Sequence, residues 1–152
     1  MKSGSPVAGS KKILSIAAYL SFAVAIFQAG ISFSPTLSRY FGAPKQFVAE
    51  PLLLLSAGLF MAVVFGVFGL YALSGAGTIR RLPLLPVGLL AISIVYTLRG
   101  LMLIPQLLIN MGSFSSFENI GTQSLISSLV SLVIGLVYLF GALDFQRSIK
   151  PR

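Results

Sequence analysis

The sequence has no cysteine and no histidine, and only three acidic residues, Glu50, Glu118 and Asp144, in 152 positions. The first absence excludes disulfides and thiol chemistry. The second removes the imidazole used by most metal and haem sites. Three carboxylates are too few for an oxygen-ligand cage within one subunit, and no two of them are paired for acid–base work. Serine, tyrosine and lysine are present, but the usual nucleophile–base pairs cannot be assembled without His or Cys. No phosphate loop is present either, because Ser74-Gly75-Ala76-Gly77-Thr78 lacks both the spacing and the lysine. The expectation is a protein that is not an enzyme and has no metal or cofactor.

Charge of either sign is scarce. Charged residues make up 9% of the chain, against about 25% in a soluble domain, while 56% are hydrophobic. Such a chain cannot cover itself with polar surface, so most of its exterior must face lipid. What it does contain is four long apolar runs, at residues 13–33, 51–74, 82–104 and 124–145. A helix of about 20 residues rises roughly 30 Å, the thickness of the hydrocarbon core. The expected fold is therefore all-α, an integral membrane four-helix bundle. Residues 1–12 are expected to be a disordered tail, 13–146 the transmembrane domain, and 147–152 a basic tail.

The punctuation between the runs supports these spans. Glu50-Pro51 is a helix start, with proline at the first helical position and an acid before it. Ser74-Gly75-Ala76-Gly77 is a stop signal. Pro83 and Pro86 lie in or near the first turn of the third run, which reaches Ile104 before Pro105. Residues 34–49 and 106–123 read as loops lying on the interface, their Tyr40, Phe41, Phe47, Phe114 and Phe117 suited to the headgroup layer. Leu107-Leu108-Ile109 also fits a helix continuing past a proline kink. For the first run the rival reading is a cleaved signal peptide, but the run exceeds the usual apolar core and no small-x-small site closes it.

Of the eleven basic residues, Lys2, Lys11, Lys12, Arg80, Arg81, Arg147, Lys150 and Arg152 fall on one side of the expected bundle. Arg39 and Lys45 fall on the other, and Arg99 lies within a span. Eight against two predicts cytoplasmic termini by the positive-inside rule. The same fringe accounts for the net charge of +8, through contact with anionic lipid headgroups rather than nucleic acid.

Helices in lipid gain little from hiding leucine, so small residues mark the faces that pack. Gly58, Ala62, Gly66 and Gly69 form such a stripe in the second run, Ser124, Ser128, Ser131 and Gly135 in the fourth, and Ala18, Ser21 and Ala25, with Gln28, in the first. Packing within one chain and a homodimer seam both fit.

Arg99 is the unusual residue. It stands 18 positions beyond Arg81, roughly 27 Å along a straight helix, which places it near the boundary of the core away from the termini. Glu50 opens the second run at that level, Gln28 lies in the corresponding third of the first, and Tyr96 precedes Arg99 by three residues. These four are the candidate polar site, with Glu118 a second possible counter-ion. Two structural readings compete with a binding role: Arg99 snorkelling to headgroups, or an Arg99–Glu50 pair fixing helix register. In the binding reading the guanidinium fork anchors an anionic headgroup or carboxylate. Asp144, near Arg147, reads as a local salt bridge.

Small multidrug-resistance transporters also have four short spans, but their hallmark is a Glu inside the first helix, where this chain has only Gln28. The run Phe65 to Gly77 looks like that of bacterial membrane proteins without an assigned activity. The expectation is a small non-enzymatic protein of a bacterial inner membrane. It would be an accessory or scaffold subunit, or a lipid- or ligand-binding protein, working with a larger membrane partner or as a homo-oligomer. The alternative is a small oligomeric transporter or channel for an anionic substrate.

Overall fold

The computed structural model describes residues 8–41, 43, 45–110 and 122–149. The elements are α1 (Ala8–Ser32), α2 (Pro35–Tyr40), α3 (Lys45–Ala49), α4 (Pro51–Gly75), α5 (Leu85–Leu101), α6 (Leu103–Asn110) and α7 (Thr122–Ile149). No strand occurs among the described residues. Four stretches are long and apolar enough to cross a bilayer: Gly9–Ser32, Pro51–Gly75, Leu85–Leu108 and Thr122–Arg147. The chain is an all-α, multi-pass membrane protein built as a four-helix bundle.

Two antiparallel hairpins make up the bundle. α1 packs along α4 and α5 along α7, and α1 also lies against α7. At the end of the bundle where α1 begins, the Leu14 side chain meets the backbone of Gly75 and of Gly141. At the opposite end Ser32 sits against Gly58. The apolar core of Leu14, Ala17, Ala18, Ala72, Leu89, Ile92, Ile134 and Tyr138 runs between the hairpins. Most other large apolar side chains, among them Ile26, Phe60, Leu98 and Phe140, point outward. That is the arrangement a hydrocarbon solvent favours.

Small residues set how closely the helices approach. A Cβ added to Gly100 would stand 2.5 Å from the Leu132 Cα, and one on Gly135 would stand 2.7 Å from the Thr97 amide nitrogen. Both contacts are with backbone, so α5 and α7 touch main chain to main chain. In α4, Gly58 and Gly69 meet Ser32 and Phe22 of α1, whereas Gly66 has open space around it. Residues 58 and 69 are eleven apart, close to three whole turns, while 66 is rotated about 80° from 58. One side of the expected stripe is therefore the α1 contact and the other is not.

The spans differ from expectation mainly at their ends. α1 begins at Ala8, not at Ile13, with Ser10 buried and Lys11 and Lys12 exposed. The lysine stems continue the helix while their ammonium groups reach outward. Residues 1–7 of the expected tail lie outside the described residues. α7 extends to Ile149, into the expected basic tail, whose residues 150–152 are likewise outside them.

The third span starts later and ends later. Residues 83–84 form a turn, with Leu84 in left-handed conformation (φ 55°) and its carbonyl accepting from Gly88 N at 2.8 Å. Ser74, buried at the end of α4, secures this connection: its hydroxyl donates to the Arg80 carbonyl (3.1 Å) and accepts from Leu82 N (2.8 Å). At the far end α5 stops at Leu101, four residues before Pro105, whose ring would clash with the carbonyl at that position. After Met102 the helix resumes as α6, as the Leu107-Leu108-Ile109 reading allowed. The expected 34–49 loop contains α2 and α3. Ser34 caps α2 by accepting from Leu37 N at 3.3 Å, with Pro35 as its first residue.

Candidate functional site

The four candidate residues lie in four different places. Tyr96 is in the core, 2% exposed. Its ring stacks on Tyr138 (centroids 5.7 Å apart, planes at 20°) and on Phe65 (5.9 Å, 22°), with Phe68 edge-on at 5.7 Å. Polar ends inside this aromatic layer are satisfied internally. The Tyr138 hydroxyl donates to the Phe68 carbonyl at 2.8 Å, so Ser21 donates to Tyr138 (2.8 Å), and Tyr96 can reach Ser21 at 3.5 Å. One polar chain thus joins α5, α1, α7 and α4. It fills the middle of the bundle and presents nothing outward.

Arg99 lies one turn further along α5, and its three-residue offset from Tyr96 rotates it out of the core to an exposed position. It is 14 residues past Leu85, roughly 21 Å up the helix, and the apolar span continues to Leu108. Arg99 is therefore deeper than a helix ending at Ile104 implied. It lines a polar cavity of about 210 Å³ with Gln106, Ser124, Ser127, Ser128, Met102 and Phe41. Within this cavity Ser128 donates to Gln106 Oε1 (2.9 Å) and Ser127 to the Ser124 carbonyl (3.1 Å). The amide Nε2 hydrogens of Gln106 remain as donors beside the guanidinium. Among the described residues the cavity wall carries no acidic side chain. The Ser127 and Ser128 protons are taken up within the wall, so the match to an anion rests on the cation and the amide donor.

Gln28 lies instead at a second cavity, of about 460 Å³, between α1, α4 and the α2–α3 segment. Its walls are largely apolar: Ile31, Phe47, Leu54, Ala57, Phe60 and Met61. The two serines there are turned to backbone, Ser32 donating to the Gln28 carbonyl (2.6 Å) and Ser38 to the Ile31 carbonyl (2.7 Å). Phe41 lines both cavities. The capped α2 helix ends at this residue, and its ring packs edge-on against Phe27 with centroids 5.0 Å apart.

Glu50 is exposed at the start of α4, makes no side-chain cap, and lines neither cavity. The structure does not bring it to Arg99. The second possible counter-ion, Glu118, lies outside the described residues. Ser124 and Ser128 were visible in the sequence only as part of a packing stripe, and Ser127 not at all; that the three line one cavity with Arg99 depends on α6 continuing past Pro105 and carrying Gln106 alongside α7. Comparison of the chain with protein-family models, with curated proteins and with solved structures found no match.

Proposed function

We propose that this multi-pass protein binds an anionic group at Arg99 and serves as a non-enzymatic lipid- or ligand-binding protein, or as an accessory subunit carrying such a ligand to a larger membrane partner. The observation carrying this reading is the cavity in which Arg99 and Gln106 converge with three serines, with no carboxylate among the described residues that line it. A charged side chain within an apolar span is costly, and the cost is offset where it faces a polar cavity with a partner. The basic residues at the other end of the bundle, among them Lys11, Lys12, Arg80, Arg81 and Arg147, support cytoplasmic termini. On that orientation in a bacterial inner membrane, the Arg99 cavity belongs to the outer half. The other use of Arg99, anion transport by an oligomer, requires a polar path across the bilayer. The packed layer of Tyr96, Tyr138, Phe65 and Phe68 weighs against it.

The test is lipid binding by the purified protein, followed by native mass spectrometry with phosphatidylglycerol and phosphatidylcholine in competition. The wild type is expected to retain phosphatidylglycerol. Arg99→Gln should weaken that retention about tenfold or more, the value of a charge-assisted hydrogen bond, and Arg99→Lys should keep part of it because a point charge lacks the planar fork. Equal retention by wild type and Arg99→Gln would overturn the reading.

A further inference from the structure

The two cavities differ in chemistry and meet at one side chain. On one side of Phe41 the walls offer hydrogen-bond donors and a cation; on the other they offer Phe47, Leu54, Ala57, Phe60 and Met61. The serines at the second cavity do not change its character, because Ser32 and Ser38 give their protons to the backbone carbonyls of α1. Its volume of about 460 Å³ falls within the roughly 300–1,000 Å³ of small-molecule sites.

Building on the Arg99 reading, we infer that the anion is the head of an amphiphile, whose hydrocarbon chain lies in the apolar cleft between α1, α3 and α4 with Phe41 at the junction. The division of labour follows from the solvent. A chain leaving the bilayer for an apolar cleft gains little, since lipid tails are as apolar as leucine. Affinity therefore comes from the head, through Arg99 and Gln106. The cleft determines which chains fit and in which direction they point. A free inorganic anion would use the first cavity and leave the second unused, so the pair of cavities favours a ligand with both parts. The local sequence prepares this junction: Ser34 and Pro35 start α2, and its helix ends by placing Phe41 between the two spaces.

The experiment uses the full chain reconstituted in phosphatidylcholine nanodiscs with a trace of phosphatidylglycerol bearing a diazirine at the end of one acyl chain. After irradiation, adducts are mapped by peptide mass spectrometry. Adducts are expected on Phe47, Leu54 and Ala57, the less exposed part of the cleft wall, reduced about tenfold by Arg99→Gln and several-fold by giving the probe a phosphatidylcholine head. Adducts spread evenly over the outward faces of the long helices, or equal labelling with both heads, would overturn the inference. A parallel arm measures inorganic phosphate binding to the detergent-solubilised protein. Phosphate binding that depends on Arg99 with no labelling of the cleft leaves the Arg99 site standing and overturns the amphiphile. Loss of Arg99 dependence in both arms overturns both. Ala57→Phe, which fills the cleft, should displace the chain adducts while phosphate binding persists. If that variant does not fold, the wild-type adduct map alone decides.

Discussion

The phenol oxygen of Tyr138 donates to the Phe68 carbonyl and accepts from Ser21, so a single atom ties α7 to α4 and to α1. Tyr96, stacked against it, has only a 3.5 Å approach to Ser21, at the outer limit of a hydrogen bond. The two tyrosines therefore carry unequal weight. Interhelical hydrogen bonds in membranes average about 0.6 kcal/mol with a maximum near 1.7. Tyr138→Phe loses two such bonds and leaves Ser21 facing a ring, so it should destabilise the protein by about 1–2 kcal/mol in a reversible detergent-unfolding titration. Tyr96→Phe should cost less than about 0.6 kcal/mol in the same assay. An equal or reversed ranking would mean that the stacked rings, not the hydroxyls, govern this layer. At this scale the sequence was only partly readable. A tyrosine three residues before an arginine suggests a shared face, but three residues turn a helix through about 300°. The remaining 60° is enough to put Tyr96 in the core and Arg99 at its edge.

The α5–α7 hairpin depends on two glycines whose missing side chains are occupied by the partner's backbone. Gly100→Ala or Gly135→Ala must push the two helices apart, and overpacking of this kind costs about 1–3 kcal/mol. Gly66→Ala meets open space and removes glycine's helix penalty of about 1 kcal/mol, so it should leave stability unchanged or raise it. Thermal unfolding in detergent separates the three variants, and a destabilised Gly66→Ala would place that face in a contact with another copy of the chain. The four spans were legible because long apolar runs have no soluble explanation. Their ends were not, because Lys11 and Lys12 are equally compatible with a tail and with a helix that snorkels. Pro105 likewise marks either an end or a break. Its ring rules out helical continuation only at Leu101, and α6 resumes two residues later. The break places Arg99 further inward and brings Gln106 and the α7 serines to one polar cavity with it, which a helix ending at Ile104 does not form.

For the whole molecule, the two ends of the bundle have different characters. The end where α1 begins is closed by Leu14, Leu89 and the Ser74 connection. The other end is loosened by α2, α3 and the break at Met102, and both cavities are found there. The composition and spacing of the chain were enough to establish a membrane bundle, since those properties are summed over many residues. A cavity depends on where a few side chains are directed, as with Phe41, and no periodicity encodes that. Between the ends stands the layer of Tyr96, Tyr138, Phe65 and Phe68, in which the tyrosine hydroxyls are turned to Ser21 and the Phe68 carbonyl. In electrical terms this layer is an insulator: an ion would have to shed its water to pass rings that offer it no ligand. A planar bilayer loaded with the protein should hold an applied voltage as well as bare lipid, with or without Arg99, and a steady current would show that the septum leaks.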